Sequence, residues 1–572
     1  MKKIFFAFFS FFALCTIFPQ NSTIPSTADF WSDYPNDQLA DFLISKMSDE
    51  ELLAQIFMFG WAGEEPSTLL TQWISERGLG SVKVFGWNTN NTEKVARSVA
   101  SVQEFAQRRP LKIPLFVATD QEGGPIRHVK GDTTITPGNM AIGASKYPVD
   151  AYYSAYYISR EIKALGINMN FAPTVDLYTN LDSSVIGERS FGEDAELAGQ
   201  LASAFVAGSI AAGVIPTAKH FPGHGDTSSD SHIKLPGVYI NWEEAEKREL
   251  VPYKYLISQN LPAIMSGHLL YPRIESEPVS LSRPWLTEIL REKLGFKGLI
   301  ITDDMHMAGA WGYAGSTSEA FKRAIIAGND IILDSQTASL DERLWTLNLS
   351  LIRSDPNFRT IVTTAAHRVV LSKLNYFKSG NAAPLYPEIA RLKELIPDKD
   401  GQKFFLSQAC RSITAYKKGT FPYKKGTNER LLVVGPADKI LQETPEVIRE
   451  ESPFFTEAKK RYGEVGFFKI DFPSLGPIGI DWNGNQLEAM ATGYDTIIFY
   501  VPDKEGAQIA KRLANSGKRV IILSSHSPVP ILSGFDFADT ILIGYSDSVY
   551  TFKALFGALA GEFVPEGVLP LN

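Results

Sequence analysis

Eight short runs rich in β-branched and aromatic residues recur between Gln55 and Leu333, each followed by a longer amphipathic stretch. No other feature of the sequence restricts the fold as strongly. The runs are Gln55–Phe59, Val82–Phe85, Leu115–Ala118, Asn168–Phe171, Ile215–Lys219, Ala263–Ser266, Leu299–Thr302 and Asp330–Leu333. Several are apolar without strict alternation, the pattern of strands covered on both faces. The stretches between them read as helices. In the clearest, Ser282 caps the start, Pro284 lies in the first turn, Trp285, Ile289, Leu290 and Leu294 line one face, and Gly295 stops it. Strands alternating with helices over about 345 residues predict an α/β fold, a (β/α)8 TIM-like barrel over residues 31–376.

A linker at residues 377–390, with Ser379, Gly380, Asn381 and two prolines, separates the barrel from a smaller α/β sandwich domain at 391–572. There Leu431–Val434, Thr496–Val501, Val520–Ser524 and Thr540–Gly544 read as parallel strands and Glu505–Ser516 as a crossover helix. No glycine-rich dinucleotide fingerprint and no solenoid repeat occurs. With 44% hydrophobic residues in 572, the chain can bury a large core. A formal net charge of −8 argues against nucleic acid as a partner.

Residues 1–20 read as an export signal, with Lys2 and Lys3 ahead of an apolar run from Ile4 to Phe18 that is short for a membrane span of about 20 residues. Cys15 admits a second reading, the lipid-modified first residue of a bacterial lipoprotein. No later run reads as long and apolar enough to span a membrane. Once the signal is removed Cys410 stands alone, so no internal disulfide is expected.

Chemically capable residues end nearly every predicted barrel strand: Asp120, Asp176, Lys219 with His220, His268, Asp303 and Asp334. Barrel active sites form where the βα loops converge at those ends. Six of the eight histidines (His128, His220, His224, His232, His268 and His306) fall in or beside the same loops. The densest segment runs from Lys219-His220-Phe221-Pro222-Gly223-His224-Gly225-Asp226 on to Asp230-Ser231-His232. Pro222, Gly223 and Gly225 keep it from being helical. Asp230 lies two residues from His232, so its carboxylate can orient the imidazole and raise its pKa, making a proton donor near neutrality. Read otherwise, the segment is a solvated loop, or a metal site built from His220, His224, Asp226, Asp230 and His232. The spacing is not the helical His-Glu-x-x-His pattern and cysteine ligands are lacking, so no metal and no cofactor is expected.

Asp303 and Asp304 end the seventh run, where a carboxylate on rigid backbone is suited to attack an anomeric carbon. Adjacent acids point apart, so only one should face a substrate. Asp120-Gln121-Glu122-Gly123-Gly124 offers a carboxylate for two sugar hydroxyls, and Gly187-Glu188-Arg189-Ser190-Phe191 an arginine beside an aromatic ring.

Together, these motifs resemble the bacterial β-N-acetylglucosaminidases of glycoside hydrolase family three. The matching segments are Asp120 to Gly124, Gly187 to Phe191, Lys219 to His232 and Thr302-Asp303-Asp304, in that order. Ala558 to Glu562 and Pro565 to Pro570 resemble the closing motif of the family's second domain. The resemblance implies an exo-acting retaining β-N-acetylglucosaminidase acting on peptidoglycan or chitin-derived fragments. Asp303 would be the nucleophile, His232 the acid/base and Asp230 its partner. Asp120, His128, Arg189, Lys219 and His220 would hold the sugar. His128 falls where the family usually carries a sugar-binding arginine, so Arg127 is a candidate to take that role, and His306 replaces a residue that is usually small. A histidine acid/base is neutral after giving up its proton, which leaves phosphate open as the acceptor. The alternatives are therefore a β-N-acetylglucosaminide phosphorylase and, in another class, a non-catalytic sugar-binding protein. The partners expected are glycans containing N-acetylglucosamine, with no nucleic acid, and a membrane only through an N-terminal lipid anchor. The chain is expected to be exported, whether periplasmic, secreted or lipid-anchored.

Overall fold

The computed structural model describes residues 24–183, 185–227, 234–437 and 452–571. Eight parallel strands form the first sheet: β1 Phe57–Phe59, β2 Ser81–Lys83, β3 Phe116–Thr119, β4 Met169–Asn170, β5 Ile215–Phe221, β6 Ala263–Ser266, β7 Leu299–Thr302 and β8 Ile332–Asp334. Their order is β8-β1-β2-β3-β4-β5-β6-β7, and a parallel bridge from Ile301 to Ile331 closes the ring between β7 and β8. The barrel fold is as the sequence predicts.

The apolar runs split by the two-residue period of a strand. Met58, Phe116, Ala118, Ala263, Met265, Leu299, Ile301 and Leu333 fill the barrel interior. Their neighbours Phe57, Phe59, Val117 and Ile332 face one group of surrounding helices, and Ile264 and Ile300 another. Helix Ala195–Ala212, contrary to the sequence reading, is long and apolar enough to cross a membrane by length and composition. Here it packs between helices Pro148–Ala164 and Val251–Ser258 of the barrel. The segment Pro284–Lys293 is wound as a π-helix rather than the expected α-helix, with the Leu294 amide donating to Ile289 O (2.8 Å) and Gly295 ending it at φ +73°. Over ten residues a stripe of apolar side chains does not distinguish the two windings.

The second sheet has six strands: β9 Thr414–Lys417, β10 Leu431–Pro436, β11 Gly466–Ile470, β12 Thr496–Val501, β13 Arg519–Ser524 and β14 Thr540–Ile543. They lie in the order β9-β14-β13-β12-β10-β11, all parallel except β9. The sequence reading lacks β9 and β11. Both are edge strands, half exposed, and carry none of the continuous apolar signal of the central four. The predicted helix 505–516 is α over Lys504–Lys511 and 3₁₀ over Arg512–Asn515.

The two units are stitched together at several points. Arg411 pairs with the buried Asp150 of helix Pro148–Ala164, and Glu161 accepts from the Asp398 amide (2.8 Å). The Val568 amide donates to Ala144 O (2.9 Å) and the Glu193 amide to Pro570 O (3.2 Å).

Candidate active site at the barrel mouth

A buried chain of alternating charges forms the wall between β2, β3 and β5. Asp120, just past β3, accepts Lys83 Nζ at 2.7 Å and Lys219 Nζ at 2.5 Å. Lys219 also reaches Glu122 (2.6 Å), and Arg189 grips Glu122 bidentately, from Nε at 2.9 Å and Nη2 at 2.8 Å. Burial alone would raise both carboxyls. Lys219 and Lys83 outweigh it and hold Asp120 well below the usual range. Arg189 and Lys219 hold Glu122 at about 2. The same carboxylates raise the Lys219 ammonium against its burial. Three cations thus face two carboxylates, and both oxygens of Asp120 are held by lysines, Oδ1 by Lys219 and Oδ2 by Lys83.

His128 Nδ1 stands 3.4 Å from Asp120 Oδ2, and burial lowers its pKa to about 4, so it is a neutral ring. Arg127, next to it in the chain, is buried. Its Nη1 donates to Thr133 O (2.8 Å) and Thr133 Oγ1 (3.0 Å), tying it to the loop behind the site.

On β5 the side chains of Lys219 and His220 diverge to separate partners. Asp176 lies beyond β4 and accepts His220 Nδ1 at 2.7 Å and the amides of His220 (3.1 Å) and His224 (2.7 Å). Burial would raise Asp176, but His220 and His224 keep it low and ionised. His220 Nδ1 therefore carries the proton, and Nε2 is the polar atom left for a substrate. His224 is turned inward, donating to Thr227 Oγ1 (2.8 Å), and burial drops it to about 4. Asp226 pairs with Arg248 at 2.8 Å. Residues 228–233 lie outside the described residues, and Asp230 and His232 with them. Among the described residues no group of three or more His, Cys, Asp or Glu could hold a metal ion.

At the end of β7 the two acids part company. The Asp303 amide donates to Ser266 O of β6 (3.0 Å), fixing the backbone, and its half-buried carboxylate accepts the Asp304 amide (2.8 Å). Asp304 is turned to the neighbouring loop, where its Oδ1 accepts the amides of Ser335 (2.9 Å) and His306 (3.0 Å). Buried His268 bridges Ser280 Oγ (2.7 Å) and Asp304 O (3.0 Å). On β8, burial pushes the Asp334 carboxyl up to about 7, helped by Asp304. Exposed His306 accepts from Gln336 Nε2 (3.0 Å).

The described site residues read from sequence thus all stand on the carboxyl-end rim of the barrel. One partner, Lys83, escaped that reading, and Glu122 and Asp176 were named there without their partners. A lysine inside an otherwise apolar run was the available signal for Lys83, since a strand buried on both faces admits a cation only with a counter-charge.

A family model described as the N-terminal domain of glycosyl hydrolase family 3 matches residues 48–361, more than half of the chain. The chain belongs to glycosyl hydrolase family 3. It is similar to a beta-hexosaminidase from Tolumonas auensis, 38% identical over 258 residues that cover 45% of this chain and 75% of that protein. Beta-hexosaminidase A from Pseudoalteromonas piscicida is 36% identical over 346 residues, 57% of this chain and 55% of that one. Among solved structures, a glycoside hydrolase family 3 beta-N-acetylglucosaminidase from Paenibacillus sp. str. FPU-7 superposes with a TM-score of 0.79 at 27% identity, over 92% of this chain and 99% of that chain. This family 3 glycoside hydrolase therefore shares with that neighbour both the barrel and the second sheet, and not the barrel alone.

Proposed function

We propose that the chain is an exo-acting, retaining β-N-acetylglucosaminidase that removes terminal β-linked N-acetylglucosamine. The observation that carries this reading is the likeness along nearly the whole chain to a family 3 β-N-acetylglucosaminidase. The site is consistent with the chemistry. Asp120 offers an ionised carboxylate to two hydroxyls of a terminal sugar, and His220 Nε2 is a neighbouring polar contact. Asp303 sits on backbone fixed by β6, with Asp304 turned away, so one carboxylate attacks the anomeric carbon and forms the glycosyl-enzyme. His232, oriented by Asp230, protonates the leaving oxygen and then activates the acceptor. This pair rests on the sequence motif. Fragments of peptidoglycan or chitin are the proposed substrates, and an exported location is proposed from residues 1–20 alone.

The test is a panel of p-nitrophenyl N-acetylglucosaminide and p-nitrophenyl glucoside, each assayed with and without phosphate. Hydrolysis of the first, unaccelerated by phosphate and abolished by Asp303→Ala, is the expected result. Preference for the glucoside, accumulation of glycosyl phosphate, or full activity in the variant would each overturn the reading.

A further inference from the structure

Outside the carboxyl ends of the second sheet's parallel strands, facing the barrel loop from Tyr178 to Glu188, lies a cavity of about 790 Å3. Crevices at that edge of an open parallel sheet are where such folds bind ligands. Here the barrel supplies the opposite wall. Six carboxylates line it (Asp182, Glu188, Asp471, Asp503, Glu505 and Asp547) against two cationic side chains, Lys504 and His526.

His526 shows how strongly negative the cavity is. Its Nδ1 lies 3.1 Å from Glu188 Oε1 across the domain boundary and its Nε2 3.7 Å from Asp547 Oδ2. Burial opposes a charge on the ring, yet Asp547, Glu188 and Asp503 together raise it to about 9. Even with this imidazolium in place, carboxylates outnumber cations. Asp503 spends one oxygen on the Gly506 amide (2.7 Å), and burial raises its carboxyl.

The remaining lining is aromatic and aliphatic, with Phe472, Tyr500 and Phe552 beside Pro436, Pro502 and Pro530. Tyr500 packs edge-on against Phe552 (5.6 Å) and Phe472 (5.7 Å). Ring faces attract cations through their quadrupole, and most strongly where water is excluded. Carboxylates set among aromatic rings suit a cation that also carries a carbon skeleton. A bare metal ion fits less well, since no convergent donor group for one exists among the described residues.

We propose that this interdomain cavity is a second binding site, one that takes an organic ammonium ion, an amino sugar or a diamine. The charged nitrogen sits among Glu188, Asp503 and Asp547, and the carbon skeleton lies against Phe472, Tyr500 and Phe552. The site is distinct from the sugar-binding wall. Glu188 turns toward His526, while the next residue, Arg189, turns toward Glu122. The proposal does not depend on which glycoside the barrel cleaves.

Titration calorimetry on the full chain tests it, with 1,5-diaminopentane as the probe and pentane-1,5-diol as its uncharged counterpart. The diamine should bind at one site and the diol should not. Asp503→Asn keeps the oxygen that caps Gly506, so the fold should persist. That variant should bind the diamine about tenfold more weakly, as the loss of one charge-assisted contact requires. Asp120→Asn, at the barrel mouth, should bind it as the wild type does. No diamine binding at millimolar concentration, equal binding of the diol, unchanged affinity in Asp503→Asn, or a loss confined to Asp120→Asn would overturn the proposal.

Discussion

Glu122 is fully buried and touches no solvent, yet it joins Lys219 to Arg189, so replacing it separates positioning from binding. In Glu122→Gln a neutral amide of the same shape stands where the carboxylate accepted three donors. One amide oxygen remains, and the NH2 group is aimed at a cation. Two routes give the size of the loss. Lowering a carboxyl from 4.5 to about 2 corresponds to about 3 kcal/mol of stability at neutral pH. Breaking a buried pair by removing one partner typically costs about 3–5 kcal/mol. For a barrel of this size that is a fall in Tm of roughly 4–7 °C. The sign with pH follows from the depressed pKa. The stabilisation is complete above pH 4.5 and is lost as pH falls toward 2, so the gap between wild type and variant should narrow on acidification. Differential scanning calorimetry at pH 7 and pH 3.5 measures both effects. A variant within about 1 °C of wild type at pH 7 would refute the reasoning. So would a gap that does not shrink in acid.

Other perturbations have equally definite outcomes. Asp176→Asn should release the proton-bearing Nδ1 of His220 and lower kcat/KM at least about tenfold, more than it lowers Tm; unchanged kinetics would show that the tautomer is immaterial. His232→Ala should slow cleavage of a sugar leaving group by about 10²–10⁴-fold while sparing p-nitrophenol, because only the poorer leaving group needs a proton; equal losses would remove His232 from the acid role. The raised pKa of His526 means that its contribution is full below pH 6.5 and lost as pH rises through about 9. His526→Gln should therefore destabilise by about 3 kcal/mol at pH 6 and by little at pH 10, and thermal unfolding at the two pH values reads the difference.

The barrel was legible because each of its strands is covered on both faces, so residues such as Phe57-Met58-Phe59 and Leu299-Ile300-Ile301 are apolar throughout. That signal survives without any neighbour. Strands β9 and β11 are edges, and what makes them strands is the partner they pair with, which is far away in sequence. The site was legible in its single residues but not in its wiring. Asp120, Lys219 and Arg189 stood out as ionisable residues in loops. That Glu122 and Lys83 complete their charges depends on the barrel bringing the ends of β2, β3 and β5 together, with β5 two places from β3 in the sheet. The same limit applies to Arg127, which is adjacent to His128 in sequence but points to Thr133. Chain order gives adjacency, whereas side-chain direction comes from the small antiparallel hairpin of Gln121–Gly123 and Ile126–Arg127 that carries Arg127.

The bond from the Glu193 amide to Pro570 has a temporal consequence. Glu193 follows closely on the loop that carries Glu188 and Arg189, so one anchor of a barrel loop is supplied by a residue almost four hundred positions later. During synthesis at about 5–20 residues per second, that loop waits roughly 20–75 s for its partner. Until then the barrel exists with one side of its mouth unsecured. A nascent chain stalled after the barrel should accordingly be cleaved by protease near residues 185–193 sooner than elsewhere in that domain. Residues of the second domain are thus the ones that finish the first.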